Sequence, residues 1–275
     1  LLDWRYPAYF AGPKKDPDTW ADFLKYVHAQ VRELCTNYGK IDVLWYDGGW
    51  PWSAEDWQSS KLNAIVRKLQ ADVVINNRSM LPEDFDTPEQ YIAAPSDPKR
   101  MWESCMTMND NWGYSAADRN WKSARQLIHN LVRCASGAGN YLLNVGPRDN
   151  GTIPPPSVRR LKEIGTWMKV NAESIHGSER CPFGGGMIGL TSAKGNSVYL
   201  HILRWPGREA STACVKNKVL SAHILATGQE VKTVQNDDRV FLKNLPRKAP
   251  DPYDSVILME LDGKPEAYPL ERFVP

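Results

Sequence analysis

Asp47 closes a mostly apolar run, Ile41 to Tyr46, and is followed directly by Gly48 and Gly49. In βα folds, working side chains sit at the C-terminal ends of parallel strands, where the loops gather. Two glycines after such an acid let backbone approach a ligand with no Cβ in the way. A lone aspartate before glycine is ordinarily a turn cap. Here it has company, because Arg78, Glu89 and Glu103 come from or after the ends of the next predicted strands. Paired carboxylates are the usual equipment for glycoside hydrolysis: one attacks the anomeric carbon and the other protonates the leaving oxygen. Their separation decides between retention and inversion, and sequence spacing does not give it.

The other chemistry-bearing residues read more blandly. His129 falls within a helical stripe, as a packed residue would. His176, His201 and His223 lie in or near a predicted C-terminal β region. Asp84 and Asp86 read as loop charges. The stretch Phe183 to Met187, FGGGM, lacks the lysine and the strand-to-helix setting of a phosphate loop. Asn150 opens a formal NGT glycosylation sequon, read as incidental. Cys35, Cys105, Cys134, Cys181 and Cys214 are odd in number and widely spaced. They suggest reduced thiols rather than a metal site or a disulfide framework.

These residues need elements to position them. Asp18-Thr19 precedes a helical stripe of Phe23, Leu24, Val27, Val31 and Leu34, ended by Gly39. Ile41–Tyr46 then reads as a parallel strand buried on both faces. A second stripe, Trp57, Leu62, Ile65, Val66 and Leu69, leads to a strand over Asp72–Asn77. MWESCMTM (101–108) predicts another strand, Trp121–Ala135 a helix, and GAGNYLLNVGP (137–147) a turn and strand. Val158, Leu161, Ile164, Trp167 and Met168 mark a last helix. This alternation predicts βα units in a parallel sheet or barrel. After Ser178 the pattern becomes short strands separated by turn residues: MIGLTSA, SVYLHIL, VLSAHILA, RVFLKNL and SVILMEL. That predicts an antiparallel β-sandwich, with the boundary at 178–183. The expected organisation is a barrel-type domain over 1–178 and a sandwich domain over 179–275.

Composition narrows the function classes. The 275 residues carry a formal charge of +2 and no long basic block, which argues against nucleic acid as a partner. No run of about 18 apolar residues suggests a membrane span. The chain opens Leu1-Leu2-Asp3-Trp4, without Met and without a leader-like pattern. Eleven tryptophans is a high count, which suits either a large core or a sugar-stacking cleft.

Four stretches then carry a resemblance: LWYDGGWP, NNR, WESCMTMNDNWGY and GNYLLNVGPRDNGTIP. They resemble the catalytic domain of family 29 α-L-fucosidases, and the last is the most specific. GLTSAKGNSVYLHILRWP also resembles the opening strands of that family's C-terminal β-sandwich. The match runs from about residue 40 to 206. The resemblance implies a retaining exo-glycosidase that removes terminal α-L-fucose, without metal or organic cofactor. It places Asp47 on the nucleophile, Arg78 on an arginine near it, and Trp45 on an aromatic near the sugar. Trp112 falls on an aromatic that holds the fucose methyl. Two glutamates match the acid/base position, which varies in the family. Glu89, in a loop expected to be flexible, is favoured, with Glu103 as the alternative.

One departure matters. In the family the nucleophile follows roughly half of the barrel, whereas here it stands at residue 47. LLDWRYPAYF resembles the loop after the third strand, so the expectation is a partial (β/α)8-like barrel plus the sandwich, with the N-terminal barrel half absent. An open parallel sheet leaves apolar faces in water. Hence the expected partners are a fucosylated oligosaccharide or glycoconjugate and a second copy of the chain. The competing function is a carbohydrate-binding or scaffold relative that has lost turnover.

Overall fold

The computed structural model describes residues 5–183 and 185–269. The chain forms two compact units, one made of residues 1–87 and 95–102, the other of 88–94 and 103–275.

The first unit begins with helices α1 (Ala8–Lys15) and α2 (Pro17–Asn37). Asp16 caps α2 by accepting from the Thr19 N–H at 3.2 Å, and Pro17 takes the first helical position, where its missing N–H costs nothing. Trp20, Phe23, Leu24 and Val27 of α2 bury against Ala8, Tyr9 and Trp57. Val31 and Cys35 continue the stripe onto Tyr46, onto Leu62 and Val66 of α3 (Ser59–Leu69), and onto Val73 and Ile75. Leu34, expected on that stripe, is instead 47 % exposed, although it falls within the arc of the other four positions.

The parallel strands are short. β1 (Val43–Leu44) pairs with β2 (Val74–Ile75), and β3 (Phe85–Asp86) with the start of β4 (Met101–Thr107). The expectation of a strand buried on both faces over 41–46 is corrected. The ladder holds only Val43 and Leu44, and Val43 is 52 % exposed. Leu44 and Tyr46 turn to the helices; Val43 lies on the opposite parity, where no described residue of this unit covers it.

In the second unit, β4 pairs in parallel with β5 (Asn140–Asn144), connected by α4 (Ala124–Ser136). Ser123 caps α4, accepting from the Gln126 N–H at 3.1 Å. Helix α5 (Pro155–Asn171) starts after Pro154. Then come β6 (Glu179–Arg180), β7 (Gly189–Lys194), β8 (Ser197–Ile202), β9 (Ala210–Thr212) and β10 (Val219–Ile224). The chain continues through β11 (Lys232–Asn236), β12 (Arg239–Lys243) and β13 (Ser255–Leu261). One antiparallel sheet has the order β10-β13-β8-β7-β6, the other β11-β12-β9. Their inner faces meet over Val198, Leu200, Val240, Leu242, Ile257 and Met259. The outer face of the larger sheet is not solvated. Tyr199, Val256 and Leu258 pack on Ile128 and Val132 of α4 and on Trp167 of α5. All five cysteines are free thiols. Among the described residues, no helix is long and apolar enough to cross a membrane.

Candidate active site

Asp47 lies three residues past the C-terminal end of β1. Its carboxylate is held from one side. Oδ1 accepts from Nη1 of Arg78 at 2.9 Å and from the Gly48 N–H at 2.9 Å. The aspartate side chain stays 55 % exposed while that of Arg78 is only 9 % exposed. A buried cation therefore meets an accessible anion, which can still receive a ligand.

Arg78 is itself locked. It lies in a 3-10 turn, Asn77–Ser79, after β2. Its Nε donates to Oγ1 of Thr87 at 2.9 Å and its Nη2 to the Thr87 carbonyl at 3.3 Å. The Thr87 hydroxyl in turn donates a hydrogen bond to Oδ1 of Asn77 at 2.8 Å. The guanidinium plane also lies over the Trp45 ring, 4.5 Å from the centroid, and 5.7 Å from that of Trp50. Such a fork, with fixed donors and stacked faces, holds one orientation in a way that a lysine could not. Charge-assisted bonds of this kind are about twice as strong as neutral ones.

The backbone that carries Asp47 is fixed by side chains acting as strand partners. Asn76, fully buried, donates from Nδ2 to the Tyr46 carbonyl and accepts at Oδ1 from the Tyr46 N–H, at 2.9 and 2.8 Å. The loop beyond is pinned by aromatic donors. Trp57 Nε1 donates to the Gly49 carbonyl at 2.6 Å, and Trp52 Nε1 to that of Tyr9 at 3.0 Å. The Tyr9 hydroxyl reaches the Trp50 carbonyl. Gly49 has no room for a side chain: a Cβ there would stand 2.9 Å from the Arg78 carbonyl. The tryptophans around Asp47 thus divide their work. Trp57 and Trp20 are core, Trp45 carries the arginine, and Trp50 stays 47 % exposed.

The glutamates belong to the second unit. Glu89 is not in a free loop, as expected, but forms a parallel bridge with Cys105 of β4. The Gln90 N–H donates to the Cys105 carbonyl at 2.9 Å, and the Cys105 N–H to that of Pro88 at 3.1 Å. Glu103 lies on β4 itself, opposite Asn140. The pleat puts Glu103, Cys105 and the bridged Glu89 on one face, opposite the one where Met106 receives the Asn130 amide of α4. Glu89 stands two residues further toward the C-terminal end of the ladder, about 6.6 Å along it. Trp112 lies past that same end. Its carbonyl accepts from Nδ2 of Asn144, the last residue of β5, at 2.7 Å. Gly146 lets the two loops touch, since a Cβ there would fall 2.8 Å from the Tyr114 nitrogen.

Asp84 and Asp86, read from the sequence as loop charges, are fixed in ion pairs. Asp84 accepts from Arg67 and from the Ile75 N–H, at 2.8 and 2.7 Å, and Asp86 pairs with Arg100 at 2.6 Å. His201, Asp254 and Ser192 have the connectivity of a hydrolase triad, with Nδ1 2.7 Å from Asp254 and Nε2 3.3 Å from Ser192. All three are buried, and the Ser192 hydroxyl donates to the Ser174 carbonyl instead, so they staple strands. His129 is also packed, 2.8 Å from the Tyr253 carbonyl. Sequence reasoning missed Thr87, Asn76 and Asn77 as the supports of Arg78 and Asp47. The NNR stretch was the available signal for the two asparagines; Thr87 left none.

The sequence profile of the α-L-fucosidase family matches residues 1–173. This chain belongs to the α-L-fucosidase family. It is 34 % identical to α-L-fucosidase isoenzyme 1 from Paenibacillus thiaminolyticus, with a TM-score of 0.85 over 95 % of this chain and 70 % of that one. It is 30 % identical over 190 residues to an α-L-fucosidase of Dictyostelium discoideum, covering 65 % of this chain and 41 % of that protein. It is 27 % identical over 269 residues to a tissue α-L-fucosidase of Macaca fascicularis, covering 91 % and 57 %. The chain spans about half the length of these curated family members. Asp47, Arg78 and Trp112 lie inside the matched segment, as do both glutamates.

Proposed function

We propose that this protein hydrolyses terminal α-L-fucosides with retention, by double displacement. The observation that carries the reading is the held but accessible carboxylate of Asp47, paired with an arginine that its surroundings do not let move. Asp47 attacks the anomeric carbon and the glycosidic C–O bond breaks, leaving a fucosyl ester on Oδ2, the oxygen opposite the Arg78 bond. Glu89 gives its proton to the leaving oxygen. In the second half it takes a proton from water as that water displaces Asp47. Glu89 is preferred over Glu103 because it lies nearer the C-terminal end of its ladder, the end that carries chemistry in βα folds. Arg78 holds Asp47 aimed, while Trp45 and Trp112 offer apolar faces to the sugar. The same geometry suits transfer of fucose to a sugar hydroxyl in place of water.

The architecture that goes with this reading is a partial (β/α)8-like barrel over 1–178 and the sandwich over 179–275. We also propose a homo-oligomer, because Val43 and Leu142 are sheet residues left 52 % and 45 % exposed. The test is direct. The protein is incubated with an aryl α-L-fucoside and the anomer first released is read by proton NMR. Initial release of α-L-fucose supports the reading. Initial release of the β anomer overturns the retaining mechanism, and no release by the intact protein favours the carbohydrate-binding alternative.

A further inference from the structure

One groove of the second unit has a one-sided charge. Arg125, His129 and Arg133 recur every four residues along α4, so they form a stripe on one helix face. They line a groove of about 510 Å³ together with Arg204, which follows β8. Leu190 and Leu203 lie on the same wall, and among the described residues no aspartate or glutamate lines it. Two acids around Tyr253, whose carbonyl meets His129, are engaged elsewhere. Glu163 accepts from the Tyr253 hydroxyl, and Asp251 accepts from the N–H groups of Tyr253 and Asp254.

The cations are partly braced rather than consumed. Arg125 donates once to the Pro252 carbonyl, and Arg133 makes a long bond of 3.4 Å to Asn130. A guanidinium has five N–H donors, so each keeps several for a ligand. The Arg204 side chain has no hydrogen-bond or ion-pair partner among the described residues. The rim is completed by the turn of the glycine-rich stretch, Gly186 to Gly189, closed by its own backbone bonds of 2.8 and 3.3 Å. That turn presents Met187, 91 % exposed. Three forked cations beside aliphatic side chains fit one kind of occupant: a group with several oxyanion acceptors on a ring whose C–H face can rest on leucine. The volume lies within the range of small-ligand sites.

We propose that this groove, lined by residues of the second unit alone, binds an anionic saccharide, one bearing sulfate or carboxylate. The reading does not depend on the fucosidase activity, and its test measures binding alone. The intact protein is titrated calorimetrically with three probes: a sulfated disaccharide, its desulfated counterpart and inorganic sulfate. A glucuronate-bearing disaccharide forms a fourth arm that distinguishes carboxylate from sulfate. The expected result is saturable binding of at least one anionic disaccharide. It should weaken as salt rises, be absent for the neutral sugar, and be about tenfold or more weaker in Arg133→Gln/Arg204→Gln. Both positions are exposed, and circular dichroism checks that the variant folds. The proposal is overturned if no anionic disaccharide binds or if the neutral sugar binds equally. It is also overturned if inorganic sulfate binds as tightly as the sulfated sugar, or if the double variant binds unchanged.

Discussion

Arg78 and Asp47 are joined by a single 2.9 Å bond between a buried partner and an exposed one. The asymmetry matters. Arg78 is fixed by Thr87 and Trp45 whatever happens at the carboxylate, so Asp47 is the member of the pair whose other oxygen is open to chemistry.

Asp47→Ala should lower kcat on an aryl α-L-fucoside by several orders of magnitude while the fold persists, since the side chain is largely solvated. Azide should then restore part of the rate and yield the β-azide, because a small anion can attack where the carboxylate stood. A variant with near-wild-type turnover would remove Asp47 from the mechanism.

Arg78→Lys keeps the charge and loses the fork. The bonds to Thr87 and the stacking on Trp45 cannot all be remade by an ammonium. We expect kcat/KM to fall about 100-fold and stability to drop by about 1–3 kcal/mol, as the Thr87 hydroxyl and its neighbours lose a buried partner. Thr87→Val should reproduce a smaller part of both effects. Unchanged kinetics in both variants would show that the lock is structural only.

The two glutamates separate by leaving group. Replacing the true acid by alanine should cost most with a poor leaving group, such as a sugar, and little with an activated phenol that departs unprotonated. Glu89→Ala should show that dependence and Glu103→Ala should not. The reverse pattern would move the acid to Glu103.

Trp112 should matter to recognition of the fucose methyl. Burying one methyl is worth roughly 0.8 kcal/mol, and a hydroxymethyl in its place brings an unpaired hydroxyl into an apolar site. An α-L-fucoside should be preferred over the matching α-L-galactoside, and Trp112→Ala should narrow the gap. Equal kcat/KM for the two sugars in the wild type would count against an aromatic pocket.

Asp84 bears on acid stability. Burial acts to raise its pKa, but the bonds from Arg67 and the Ile75 N–H, together with the charges of Arg67 and Arg100, outweigh burial and hold it below the ordinary carboxylate value. The folded pKa is thus lower than the unfolded one. The stabilisation is present above about pH 4 and fades as pH falls through the folded value. Asp84→Asn should cost about 1–2 kcal/mol at neutral pH and flatten the loss of stability below pH 4. Denaturant midpoints at pH 3 and pH 7 measure it; an unchanged pH slope would refute the assignment.

Much of the fold could be read directly from the sequence. Helices α2, α3, α4 and α5 show as stripes because each buries one face. The hydrophobic strands β7, β8, β10, β12 and β13 show as apolar runs. Strands β9 and β11 were not legible, because AST and KTVQN are mostly polar and half-buried or exposed. The extent of β1 was overread, since an apolar run cannot announce that its inward residues lack a cover. Asp47 and Arg78, which the structure pairs, could be named from type and position. Their supports could not. An asparagine that mimics a strand partner, or a threonine that orients a guanidinium, has the same letter as one idle in a loop. Only the bonds of Asn76 and Thr87 tell them apart.

The packing of Tyr199, Val256 and Leu258 against Ile128, Val132 and Trp167 has a consequence for how such a chain can be rearranged. Trp167 adds a 2.9 Å bond from its indole N–H to the Asp254 carbonyl. A β-sandwich usually travels between proteins as a self-contained cassette, but this one finishes the interior of the two helices that precede it. Grafting it elsewhere, or cutting it away after residue 178, would leave both halves with bare oil. Lineages that shuffle their accessory parts would have to move α4, α5 and the sandwich as one inheritance.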